Sequence, residues 1–133
     1  MSDSHDQNIA KAFKILIVED DAADSALIQK RIGDIWPHSN ITATSSLGEA
    51  YEVYKNTVLD LVLLDLNLPD GYGPASVREM RSFNKSVPIV VLTSAGSDLA
   101  INEAMKLGAN HVLVKSQIFE DAFAHVLGNF FRA

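Results

Sequence analysis

Leu61-Val62-Leu63-Leu64-Asp65-Leu66-Asn67-Leu68-Pro69-Asp70-Gly71 is aliphatic for four residues and then turns abruptly to acid, amide, proline and glycine. Apolar side chains on consecutive positions leave no polar face. The first half therefore reads as a strand buried on both sides, the habit of a parallel sheet covered by helices. The Pro-Asp-Gly that follows is turn chemistry and brings the chain out of the sheet. On either side of this segment, the aliphatic or β-branched runs Lys14–Val18, Asn40–Thr44, Pro88–Leu92 and His111–Val114 repeat the theme. Successive runs start roughly 20 to 27 residues apart, too far for hairpins and right for crossover connections.

The intervals carry helical patterns. Leu27, Ile28, Ile32 and Ile35 share one side of a first helix, which stops near Trp36-Pro37 because a residue before proline is pushed away from helical backbone. Ser46-Leu-Gly-Glu49 has capping-box spacing and opens a second helix towards Asn56. Gly73-Pro74 announces a third, burying Val77, Met80 and Phe83. The fourth starts near Ser97-Asp98 and closes on Leu107-Gly108, and the last runs from about Ser116 to Phe131. Residues 1 to about 12 lack periodicity and read as a mobile tail, which leaves a single domain over residues 13–131. Five βα units with right-handed crossovers make an α/β fold, a three-layer sandwich of helices on both faces of a parallel five-stranded sheet. The flavodoxin-like order 2-1-3-4-5 is the common solution. It places chemistry beyond the carboxyl ends of the strands, near the switch point between strands 1 and 3.

Composition narrows the function. The 133 residues carry 11 Lys+Arg against 17 Asp+Glu, a net charge of −6, and 47% are apolar. One core of useful size can be buried, and a second cannot. Zero cysteine removes disulfides, thiolate metal sites and cysteine nucleophiles. The longest aliphatic runs fall far short of a membrane span, the polar N-terminus is unlike a signal peptide, and the acidic balance argues against nucleic acid. The expectation is a cytoplasmic domain with neither nucleic acid nor membrane as partner.

The strand ends carry the chemistry. Strand 1 runs into Glu19-Asp20-Asp21, strand 3 ends in Asp65, strand 4 in Thr93-Ser94 and strand 5 in Lys115-Ser116. Two carboxylates about 4 Å apart repel by roughly 4 kcal/mol at an effective dielectric near 20, and this rim gathers at least three. Lys115 offsets part of that, and a hard divalent cation, Mg²⁺ or Mn²⁺, would offset the rest. Asp20 and Asp65 can ligate it directly, with the main-chain carbonyl of Asn67 turning back into the same place. Asp21, Asp24 and Asp70 read instead as solvated or helix-capping charges. His5, His38, His111 and His125 have no ligand spacing to one another.

This pattern resembles the receiver domain of two-component response regulators, typified by the chemotaxis regulator CheY. The matching pieces are Ile15-Leu-Ile-Val-Glu-Asp-Asp21, Leu61 to Gly71, Val90-Val-Leu-Thr-Ser94 and Gly108-Ala-Asn-His-Val-Leu-Val-Lys115. The resemblance implies that Asp65 is the phosphoacceptor, that Asp20 binds Mg²⁺ directly and Glu19 through water, and that Asn67 gives its main-chain oxygen. It further implies that Lys115 pairs with Asp65 and then with a phosphoryl oxygen, while Thr93 donates its hydroxyl to the phosphoryl group. The donor would be a phosphohistidine on a histidine kinase or histidine phosphotransfer protein, and the acyl phosphate would later be lost to water. The loop Ser94-Ala95-Gly96 would close on the phosphoryl group, and a downstream protein would read the face of helix 4, strand 5 and helix 5. Two positions depart from the family pattern. Val112 stands where an aromatic residue usually rotates, and Ser116 follows the lysine where proline is usual, so a trans bond and a rearranged connection are expected. The rival within the family is a degenerate receiver used only for docking or dimerisation.

Other classes fit less well. An aspartyl phosphatase needs a second acid two residues after its nucleophile, where this chain has Asn67. A flavin module needs a phosphate cradle after strand 1, where Glu19-Asp20-Asp21 would repel one. On the last helix, Ile118, Ala122, Val126 and Phe130 form one stripe and Phe119, Phe123, Leu127 and Phe131 another. Core packing is the first use of such a band, and a homodimer or partner surface on its outer edge the second. No effector segment follows residue 133, so the expected output is a protein contact, from a stand-alone receiver, a relay or a piece of a larger regulator.

Overall fold

The computed structural model describes residues 12–94 and 97–130. The stretch read as a tail, together with Ala95, Gly96 and Phe131, lies outside the described residues apart from Ala12. Five strands, β1 (Lys14–Val18), β2 (Asn40–Thr44), β3 (Leu61–Asp65), β4 (Ile89–Thr93) and β5 (His111–Val114), alternate with five helices. The helices are α1 (Ala22–Ile35), α2 (Leu47–Asn56), α3 (Ala75–Phe83), α4 (Asp98–Lys106) and α5 (Asp121–Gly128). All strand pairs are parallel and the order is β2-β1-β3-β4-β5, as the crossover spacing and the common five-stranded solution anticipate.

The period of two along each central strand sorts the core into two layers. Leu16, Val18, Val62, Leu64, Ile89 and Val91 face α2, α3 and α4, where they meet Leu47, Ala50, Val77, Met80 and Ala104. Ile15, Ile17, Leu61, Leu63, Val90 and Leu92 face α1 and α5, where they meet Ile28, Ile32, Phe123 and Leu127. β3 and β4 are buried at every position, whereas the edge strand β2 is not. Val112 is half-buried against the first of these layers.

Four local readings need correcting. Leu27 is 45% exposed, so the buried stripe of α1 is Ile28 and Ile32 with Ile35 at its edge. Ser46 does cap α2 by accepting from the Glu49 amide at 3.1 Å, but Glu49 returns its carboxylate to the amide and hydroxyl of Ser45, one residue earlier than a capping box requires. The last helix does not begin near Ser116. A 3₁₀ turn over Lys115–Gln117 comes first, and regular helix starts only at Asp121. That late start divides the two expected stripes. Ile118, Phe123 and Leu127 are buried, Phe130 and Val126 pack beside them, and Phe119 and Ala122 are exposed.

Candidate functional site

The carboxyl ends of β1, β3, β4 and β5 form one rim. Glu19 and Asp20 leave β1 before Asp21 caps α1, its side chain accepting from the Asp24 amide at 2.9 Å. In β3, Asp65 sits opposite Leu92 of β4, so Thr93 lies one step further along the next strand, opposite Val114. Lys115 follows Val114 directly. Register alone therefore brings acid, acid, hydroxyl and ammonium to the same edge. Glu19, Asp65 and Thr93 are buried, and Asp20 is exposed.

Among the described residues, Glu19, Asp20 and Asp65 form the metal-capable acidic group, each offering a carboxylate oxygen within 4.8 Å of the others. Lys115 Nζ lies 2.5 Å from Glu19 Oε1, 2.9 Å from Asp24 Oδ2 and 3.6 Å from Asp65 Oδ2. The expected pairing of Lys115 with Asp65 is thus a looser contact than those with Glu19 and Asp24. Asp65 Oδ1 accepts from the backbone amide of Asn67 at 3.1 Å, and Glu19 Oε2 accepts from that of Asp21 at 3.1 Å. The other Glu19 oxygen touches the ammonium but has no aligned hydrogen bond.

Electrostatics follow from this crowding. Burial pushes the Glu19 carboxyl up to about 7, and Asp65 nearby adds to the rise against the lowering influence of Lys115 and the Asp21 amide. Burial works against the Lys115 charge, but Glu19, Asp24 and Asp65 outweigh it and hold the ammonium more firmly protonated than a free lysine. Among the described residues, the Lys115 ammonium meets three carboxylates, and Asp20 adds a fourth to the acidic group. The donors are hard oxygens, the acidic trio is close enough to share one ion, and a buried carboxylate is costly to ionise without more positive charge. This is the chemistry of a divalent cation site with oxygen ligands.

Asp24 is the residue that the sequence reading leaves out. Its signal lies in the spacing: Asp24 precedes Ile28 by four residues, and Ile28 precedes Ile32 by four, so the core-facing stripe of α1 ends in an acid beneath the rim. Asp21 and Asp70 behave as read. Asp70 caps α2, its carboxylate accepting from the amides of Leu47 and Gly48 at 2.9 and 3.1 Å.

The connection after Lys115 is held without the proline usual in the family. No cis peptide occurs among the described residues. The Val114 amide donates to Gln117 Oε1 at 3.1 Å, and Arg31 reaches from α1 to the carbonyls of Ile118 at 2.6 Å and Glu120 at 3.3 Å.

Comparison with known proteins gives the family and the fold. The response regulator receiver domain profile matches residues 15–126. The probable transcriptional regulatory protein SilR of Salmonella typhimurium is 34% identical over 116 residues, covering 85% of this chain and 49% of SilR. The chain spans about a quarter to a half of the curated relatives it matches. Among solved structures, the BeF₃-activated N-terminal receiver domain of Klebsiella pneumoniae RstA superposes with a TM-score of 0.80 at 30% identity, covering 90% of this chain and 99% of that one. The receiver domain of a Pseudomonas aeruginosa sensor histidine kinase, with a magnesium ion in its active-site cleft, shares the fold at a TM-score of 0.77 and 23% identity, covering 91% and 98%. No helix among the described residues is long and apolar enough to cross a membrane. With five parallel strands in the order 2-1-3-4-5 and a profile match over most of its length, the chain belongs to the response regulator receiver domains, the phospho-accepting switches of phosphorelay signalling.

Proposed function

We propose that this domain, spanning residues 13–131, accepts a phosphoryl group on Asp65 from a phosphohistidine of a kinase or phosphotransfer protein. The observation that carries this reading is the state of Asp65. It is a buried carboxylate at the switch point of the sheet, with one oxygen held by the Asn67 amide and the other 3.6 Å from the Lys115 ammonium. In the step itself, an Asp65 oxygen bonds to phosphorus as the phosphorus–nitrogen bond to the donor imidazole breaks. Lys115 then moves to a phosphoryl oxygen, and the Thr93 hydroxyl donates to another. Catalysis is positioning and charge neutralisation. Glu19, Asp20, Asp65 and the main-chain oxygen of Asn67 would hold Mg²⁺ or Mn²⁺, which would supply the positive charge that one lysine cannot. Hydrolysis of the acyl phosphate resets the switch.

The complete set of acids, hydroxyl and ammonium favours phosphotransfer over a docking-only receiver. The donor reaches Asp65 across a rim on which Leu27 and Phe119 stand exposed at 45% and 60%. For the output, the face of α4, β5 and α5 carries Leu99 and Met105, exposed at 77% and 43%, an apolar surface that a second copy or another cytoplasmic protein would cover. Incubation with acetyl phosphate, read by intact mass, tests the acceptor reading. One phosphoryl adduct is expected, dependent on Mg²⁺ and lost in Asp65→Asn. An adduct that persists in that variant would overturn the reading.

A further inference from the structure

The geometry points to Asp24 as a positioning residue that parks the Lys115 ammonium away from Asp65 until a phosphoryl group competes for it, an inference that rests on Asp65 being the acceptor. Lys115 has three N–H donors, and two of its near contacts are Glu19 and Asp24, while Asp65 lies beyond hydrogen-bond distance. The two nearer carboxylates differ in freedom. The Glu19 side chain is 2% exposed and enclosed by the rim, whereas that of Asp24 is 40% exposed and can turn into water.

The backbone of Asp24 is nevertheless fixed, because Ile28 and Ile32 seat α1 in the core on the same stripe. An arriving phosphoryl group carries about −1.5 to −2 charges and three acceptor oxygens, and it draws the ammonium across. Glu19 stays in the site, so the contact that must open is Asp24–Lys115. Asp24 thus biases the resting position of the lysine without touching the reacting atoms. Removing its charge leaves Lys115 free to meet the phosphoryl group.

The test is beryllofluoride affinity by calorimetry in saturating Mg²⁺, on the whole domain. Asp24→Asn is expected to bind two- to five-fold more tightly than the parent, and Asp24→Glu to restore the parent value. Asp21→Asn keeps a good helix cap and removes a neighbouring charge that makes no contact with Lys115. It is expected to change affinity by less than Asp24→Asn does. Unchanged or weaker binding in Asp24→Asn, or an equal gain in Asp21→Asn, overturns the positioning role and leaves the acceptor reading standing. A parent domain that takes up no beryllofluoride overturns both.

Discussion

Glu19 is the acid of the site whose chemistry departs from its ordinary behaviour. Its carboxyl is pushed up to about 7 by burial first, with Asp65 adding to the rise. Between the unfolded value of 4.5 and about 7, the folded domain binds a proton that the unfolded chain has already released. Without divalent metal, stability therefore falls as pH rises through that window. Chemical denaturation in chelator at pH 5 and pH 7 is expected to show this loss, and Glu19→Gln is expected to flatten it. Saturating Mg²⁺ would give the ionised carboxylates a cation and shrink the difference between the two pH values. A metal-free domain equally stable at both would contradict the assignment. Glu19 and Asp65 are legible in the sequence because each follows an aliphatic run directly, and Asp20 comes next to Glu19. Asp24 is harder to find, since an acid in a first helical turn is so often a solvated charge, and only its spacing to Ile28 and Ile32 puts it on the side of α1 that meets Lys115.

At the scale of elements, the strands are the most legible part, since a run buried on both faces has no alternative partner for its apolar side chains. Helix ends are less so, because they are set by side chains arriving from elsewhere. Arg31 holds the carbonyls that let α5 begin late, and nothing near Ser116 in sequence announces it. Arg81 does the same at the opposite edge of the sheet. From α3 it donates to Val87 O at 2.6 Å, Gly108 O at 2.8 and 3.0 Å, and Asn110 Oδ1 at 2.7 Å. The same Asn110 oxygen accepts the amide of Ile89, which starts β4. Gly108, with φ of +120°, brings its backbone so near that a Cβ would stand 3.0 Å from the arginine. Arg81→Ala is expected to cost about 3 kcal/mol in denaturant unfolding, from carbonyls left without their charged donor. Arg81→Lys is expected to recover only part of this, since an ammonium lacks the planar fork. Full recovery with lysine would show that charge alone matters there.

Across the whole molecule, the two faces of the sheet carry separate cores, and the position of a phenylalanine relative to them decides its weight. Phe119 and Phe123 share a stripe in sequence, yet the turn before α5 leaves the first 60% exposed and buries the second completely. Phe123→Ala is expected to destabilise the domain by about 3–5 kcal/mol. Phe119→Ala is expected to stay within about 0.5 kcal/mol of the parent, as surface substitutions do. Similar losses at both sites, measured by urea unfolding, would mean that the last helix packs differently. The same layered architecture converts the strand ends into one reactive edge, and Asp65 alone among its acids is placed to take the phosphoryl group under the proposed function. Borohydride reduction after acetyl phosphate and Mg²⁺ converts an acyl phosphate to homoserine, and tandem mass spectrometry locates it. Homoserine is expected at residue 65 and at no other acid; its appearance at Asp20, Asp21 or Asp24 instead, or its absence throughout, would refute Asp65 as the acceptor.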